Sequence, residues 1–217
     1  MSCAGCPERG ACESCPTFLV AELSSVHELS DGTAVLLRPL LYSDRYELAD
    51  AYLRLTETSR RSRFFAAPQE LSGDTLEYLT NLDYTNHFAW AAFDLDGAPP
   101  PGIGVGRYVR DPGRPSLAEA AVTVADAYQH LGLGSLLLRS LADRARAYGI
   151  TTFVGYVRWA NEEALAGLSE AGAAVTTDEP GIARVEIELP DTEEAAGTSV
   201  IHAVLRYIAR ATRTVTA

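Results

Sequence analysis

Long apolar runs are missing from this chain: none approaches the ~20 residues that a bilayer-crossing helix needs. Its start lacks a basic segment followed by an apolar core. No secretory signal is therefore expected, and a cytoplasmic protein with no membrane partner is. Positive charge is scarce. Lys and Arg number 18 against 29 Asp and Glu, leaving a formal net charge of -11 and a pI near 4.8. A general nucleic-acid surface needs clustered basic residues, so no nucleic-acid partner is expected. An acidic surface suits cationic amines and serves solubility equally well. Cysteine is absent after Cys15, and there is no internal repeat or low-complexity core. Both common phosphate-loop patterns fail too. No Lys-Ser or Lys-Thr follows the second glycine of the Gly132–Gly134 turn, and the third glycine of the dinucleotide spacing is missing.

What remains is an ordinary soluble, globular balance. The chain has 217 residues, 47% hydrophobic and 22% charged, enough for one substantial domain with a real core. Its most informative stretch runs from Glu119 to Ser135. Val122 and Val124 are β-branched within a short apolar run, which favours a strand. Gln129-x-x-Gly132-x-Gly134 then opens a helical pattern, with Leu133, Leu136, Leu137 and Leu141 recurring on one face. The two glycines remove Cβ atoms where a ligand could touch the main chain. The first N–H groups of a helix lack internal partners and sit at the positive end of its dipole, an arrangement suited to a pyrophosphate.

Taken whole, this run resembles the acetyl-CoA loop of the GNAT N-acetyltransferases, Gln/Arg-x-x-Gly-x-Gly/Ala. Ser59-Arg-Arg-Ser-Arg-Phe-Phe65, Leu82-Asp83-Tyr84, Gly104-Val-Gly-Arg-Tyr108 and Ala118-Glu119 narrow the likeness to the catalytic domain of bacterial Pat-type protein lysine acetyltransferases. The resemblance covers about Thr33 to Leu189. It implies an α/β GNAT fold, a mixed central sheet flanked by helices, and acetyl-CoA as cosubstrate. Some relatives carry a cyclic-nucleotide domain ahead of the catalytic one, and such control within this chain is not expected.

The same resemblance implies site residues. Glu119 matches a catalytic glutamate and would act as general base; otherwise it is a solvated edge glutamate. Val122 and Val124 would pair with the pantetheine arm, and the Val124 N–H would serve the oxyanion. Gln129, His130, Leu131, Gly132, Leu133, Gly134 and Ser135 would offer main-chain donors to the pyrophosphate. Asn161 opens Asn-x-x-Ala164 and would bind pantetheine, cap a helix, or do both. Many GNAT enzymes place a tyrosine acid seven residues beyond this asparagine. Here Leu168 stands there, leaving Tyr128 and Tyr156 as weak substitutes. The acceptor would be a protein lysine or, in the rival reading, a small amine in a closed acidic pocket. A third reading is a non-catalytic acetyl-CoA sensor.

Pattern and punctuation predict strands over 33–41, 87–95, 102–110, 117–125, 150–157, 174–177 and 182–189. Helices are predicted after a Ser43-Asp44 cap, near 58–65, from a cap at Ser72 or Asp74, over 132–148 and over 161–171. Residues 17–30 read as a linker and 31–190 as the domain. Ahead of them, Cys3-x-x-Cys6 and Cys12-x-x-Cys15 form two knuckles suited to a structural zinc; a disulfide or redox pair and an iron–sulfur cluster are the alternatives. The tail, 191–217, reads as an amphipathic helix that packs on the domain or forms a homodimer.

Overall fold

The computed structural model describes residues 16–57, 59–60, 68–160, 162–170 and 173–189. The four cysteines, Asn161 and the 191–217 tail lie outside the described residues, as does most of the predicted 58–65 helix. Eight strands form one sheet: β1 (Ser25–Glu28), β2 (Ala34–Pro39), β3 (His87–Asp94), β4 (Gly102–Arg110), β5 (Leu117–Val124), β6 (Thr152–Arg158), β7 (Ala174–Glu179) and β8 (Ile182–Glu188). Their order is β1-β2-β3-β4-β5-β6-β8-β7. Every pair is antiparallel except β5 and β6, which run parallel across the helical crossover between them. The helices are α1 (Pro16–Leu23), α2 (Arg45–Arg54), α3 (Gly73–Thr80), α4 (Leu133–Ala147) and α5 (Glu162–Glu170). This is a mixed central sheet flanked by helices, the α/β architecture that the sequence leads one to expect.

Strand periodicity explains the layering. In β3, Phe88, Trp90 and Ala92 belong to the main core, with Leu133, Leu137 and Leu141 of α4. The alternate residues Ala89, Ala91 and Phe93 form a second cluster with Leu40 on the opposite face, the side roofed by α2 and α3. Both faces are therefore covered, which is why β3 is apolar almost throughout rather than alternating. Glycine lets α4 approach β4 closely. A Cβ on Gly104 would sit 3.0 Å from Leu137 Cδ1 and 3.2 Å from Leu133 Cδ2.

Two expectations are corrected. Residues 17–30 are not a linker: they build α1, whose Leu19 enters the core, and the edge strand β1. An apolar helix and a four-residue strand are too short for periodicity to distinguish from connecting chain. Asp44 precedes α2 without capping it through its side chain. Its carboxylate instead takes both Arg38 guanidinium nitrogens, at 2.7 and 2.9 Å, and the Leu41 N–H at 2.7 Å. Ser72 is the cap of α3, accepting from the Thr75 N–H at 3.1 Å.

Candidate active site

The site begins where two strands part. β5 pairs with β6 only over Leu117–Glu119, matched to Thr152–Val154, although both strands run on. Beyond that point β6 continues with β8 to Arg158, and β5 continues with β4 to Val124. Gly155 marks the fork, where a Cβ would come 3.9 Å from the Ala120 carbonyl oxygen. The ladder phase is fixed at both ends of β5. Ala125 N–H donates to Ile103 O at 2.8 Å, and Asp111 N–H donates to Leu117 O at 2.9 Å. Odd-numbered residues of β5 therefore bond to β4, and even-numbered ones face β6. Past the fork, the Val122 N–H and C=O and the Val124 N–H face the opening without a sheet partner. Strand edges of this kind pair readily with an extended ligand carrying amides.

The chain leaves β5 through a single 3₁₀ turn, Asp126–Tyr128, and enters α4. His130 (φ 65°) and Gly132 (φ 93°) both adopt the left-handed region, which aims successive N–H groups outward. Leu136 makes the first intrahelical bond, to Gly132 O at 3.0 Å. The N–H groups of His130, Leu131, Gly132, Leu133, Gly134 and Ser135 have no acceptor among the described residues. With the helix dipole behind them they form an anion cradle beside the open edge of β5. The Leu131 carbonyl receives the Ser30 N–H at 3.1 Å, so the turn after β1 steadies the loop.

Gln129 differs from its neighbours. Its N–H turns back to Asp126 O at 3.4 Å, and its side-chain amide donates to Val124 O at 3.3 Å. It braces the loop from within. The key of that brace is Asp126, which sequence reasoning passed over. Its carboxylate accepts from Thr56 N–H at 2.9 Å, Thr56 Oγ1 at 3.0 Å, Ser59 Oγ at 2.6 Å and Gln129 Nε2 at 3.4 Å. Burial works to raise this carboxyl, but the hydrogen bonds from Ser59 and Thr56 outweigh it and hold the group below its ordinary value. The segment after α2 is thereby tied to the loop 70 residues away. Thr56-x-x-Ser59 is legible as a helix cap, since Thr56 Oγ1 accepts the Ser59 N–H at 3.3 Å. Nothing in the sequence pairs it with Asp126.

Glu119 is exposed and sits at the last position of β5 that pairs with β6, opposite Val109 on β4 and Val154 on β6. By alternation it shares the face of Ala121 and Thr123, which line a cavity beneath α2. That cavity is partly open to solvent. Tyr128, one of the two substitute acids, is committed elsewhere. Its hydroxyl donates to Asp94 Oδ2 at 2.6 Å, and this bond with partial burial pushes its pKa up to about 12. Leu168, at the vacant tyrosine position, is buried in the main core. Among the described residues no cluster of His, Cys, Asp and Glu could hold a metal ion.

Comparison with known proteins agrees with this fold. Residues 51–168, more than half of the chain, match the model of the acetyltransferase (GNAT) family. An acetyltransferase of Pseudomonas aeruginosa is 36% identical over 126 residues, 57% of this chain and 66% of that protein. The acetyltransferase Pat of Mycolicibacterium smegmatis is 28% identical over 166 residues, 76% of this chain and 49% of that protein. The chain thus spans under two thirds of the length of these two relatives. The crystal structure of the GNAT domain of S. lividans PAT superposes with a TM-score of 0.67 at 30% identity, covering 76% of this chain and 97% of that one.

Proposed function

Because the chain belongs to the GNAT family of acetyltransferases, we propose that it moves an acetyl group from acetyl-CoA to an amine, with a protein lysine as acceptor and Glu119 as general base. The observation that carries the reading is the unpaired edge of β5 running into the anion cradle of the Asp126–Ser135 loop. Pantetheine amides would extend the sheet at Val122 and Val124, while the pyrophosphate would take the N–H groups of residues 130–135. Donors already fixed in place gain strength where water is excluded.

The chemistry needs one proton removed before attack. A lysine ammonium, with a pKa of about 10.4, is almost wholly charged at neutral pH. Glu119, directly or through a water, would take that proton. The free amine nitrogen then attacks the thioester carbonyl carbon, and the oxyanion forms beside the Val124 N–H. The C–S bond breaks, and the departing thiolate takes up the proton that the attacking nitrogen sheds in becoming the amide. Because a thiol with a pKa of about 8.5 leaves readily, no dedicated acid is required. An exposed Glu119 suits a lysine presented on another protein. The small-amine reading asked for a closed acidic pocket, and the carboxylates beside the cavity are already engaged. Asp44 is held by Arg38, and Glu47 by Arg54 and the Gly102 N–H.

The test is incubation of purified protein with acetyl-CoA and a panel of acceptor proteins and small amines, following CoA release and acetyl-lysine. All 18 of the chain's Lys-plus-Arg residues are arginine, so any acetyl-lysine signal comes from the acceptor. Acetylation of a protein lysine that is lost in Glu119→Gln supports the reading. Turnover confined to small amines moves the acceptor to the rival class.

A further inference from the structure

The cavity under α2 lies between that helix and strands β3 to β5, and its wall says what it accepts. Leu48, Ala51 and Tyr52 of α2, with Leu55 just past its end, form its roof, and strands β3 to β5 form its floor. Three charged side chains touch it, and each has protein partners. Asp44 spends its carboxylate on Arg38 and the Leu41 N–H. Glu47 Oε1 accepts from the Gly102 N–H at 2.7 Å and from Arg54 at 2.8 Å. Arg107, 5% exposed, reaches Leu79 O at 2.9 Å and His87 Nε2 at 3.0 Å. An ammonium entering here would meet a guanidinium and two carboxylates already neutralised, so burying its charge would be costly. An uncharged aliphatic chain would meet mainly Leu, Ala, Val and Phe carbons and gain by leaving water.

Position points the same way. Ala121 and Thr123 line the cavity, and Val122 and Val124, between and beside them, present the free strand edge. Adjacent residues of a strand are only about 3.4 Å apart. A thioester carbonyl seated at that edge therefore has the cavity within reach of its acyl substituent.

We propose that the cavity is an acyl-chain pocket, and that the enzyme takes CoA thioesters of straight, saturated acyl groups longer than acetyl. This rests on the thioester seat at β5 proposed above. Each added methylene that enters the pocket should tighten binding about fourfold, in contrast to a site closed around acetyl, where longer chains bind worse.

The experiment titrates the protein calorimetrically with CoA, acetyl-CoA, butyryl-CoA and hexanoyl-CoA. The same series is repeated on Ala51→Leu, which narrows the roof with a good helix former. Hexanoyl-CoA is expected to bind at least ~10-fold more tightly than acetyl-CoA to the wild type, and that ratio should collapse towards one in Ala51→Leu. Equal or weaker binding of the longer thioesters to the wild type overturns the pocket while leaving the cosubstrate untouched. An unchanged ratio in a folded Ala51→Leu protein overturns it as well. If Ala51→Leu raises the acceptor KM equally for every thioester, the cavity holds the acceptor and the proposal fails. If CoA itself does not bind, the cosubstrate reading falls first and takes the pocket with it.

Discussion

On the α4 face of the sheet, Leu133, Leu137 and Leu141 are fully buried against Phe88, Tyr108 and Ala118, and Gly104 and Gly106 let the helix settle onto β4. On the α2 face, the second core cluster is small, a cavity remains open, and much of the fastening is polar. Arg38–Asp44, Glu47–Gly102 and Asp126–Thr56–Ser59 hold the roof in place. The same strands supply both faces through alternate residues. One face fills space and sets stability. The other leaves space and holds its walls with directional bonds, which fix geometry without filling the cavity.

Breaking each face should therefore give a different kind of damage. The largest effect is expected at Glu119 on the α2 face. Glu119→Gln should lower kcat by about 10²–10⁴-fold, with acetyl-CoA affinity and melting temperature unchanged; steady-state kinetics beside calorimetry would separate the two. A loss of CoA binding of the same size would mean that Glu119 holds the ligand instead. On the α4 face, Leu137→Ala should cost about 2–5 kcal/mol of stability in urea unfolding, because a fully buried leucine leaves a cavity behind. The folded fraction should keep its kcat within a few fold.

The latch between the faces comes next. Asp126→Ala leaves the buried Ser59 hydroxyl without its acceptor and frees the loop, a loss of about 1–3 kcal/mol. It should appear chiefly as a roughly tenfold rise in the KM for acetyl-CoA, with a smaller change in kcat. Were the KM for acetyl-CoA to stay put while the protein merely melted earlier, the latch would be structural only.

The smallest effect concerns His87, which stacks near Tyr78 and lies against Arg107, with Asp83 the opposing charge. Burial and the Arg107 guanidinium push its pKa down from 6.5 to about 4. The folded state thus refuses a proton that the unfolded state accepts. The stability contributed by neutral His87 is complete above pH 6.5 and falls as the pH drops toward 4. His87→Gln should flatten that part of the stability–pH curve while leaving the slope of the carboxylates below it. An identical curve in the variant would remove His87 as the cause.

Much of the α4 face was legible from the chain alone. The leucine spacing after Gly132 announces α4, and the apolar run of β3 announces a strand, because local periodicity is a property of neighbouring residues. The glycine pattern likewise pointed to the loop whose unpaired N–H groups now face outward. Less of the α2 face could be read. Asp126 looks like an ordinary turn aspartate until Thr56 and Ser59 arrive from elsewhere in the chain. Asp44 looks like a cap until Arg38 takes its carboxylate. Residues 17–30 look like connecting chain until the sheet offers β1 an edge to join.

The sequence by itself determined the strands from β2 onward and most of the helices, the order in which they come, and the glycine loop that begins α4. These follow from spacing, turn chemistry and the backbone freedom of glycine. Only the tertiary structure decided that β5 parts from β6 after Glu119, that Val122 and Val124 keep an open edge, and that the α2 face encloses an apolar cavity. Those features depend on where strands distant in sequence stop pairing, and hydrogen-bond partners so far apart leave no local trace.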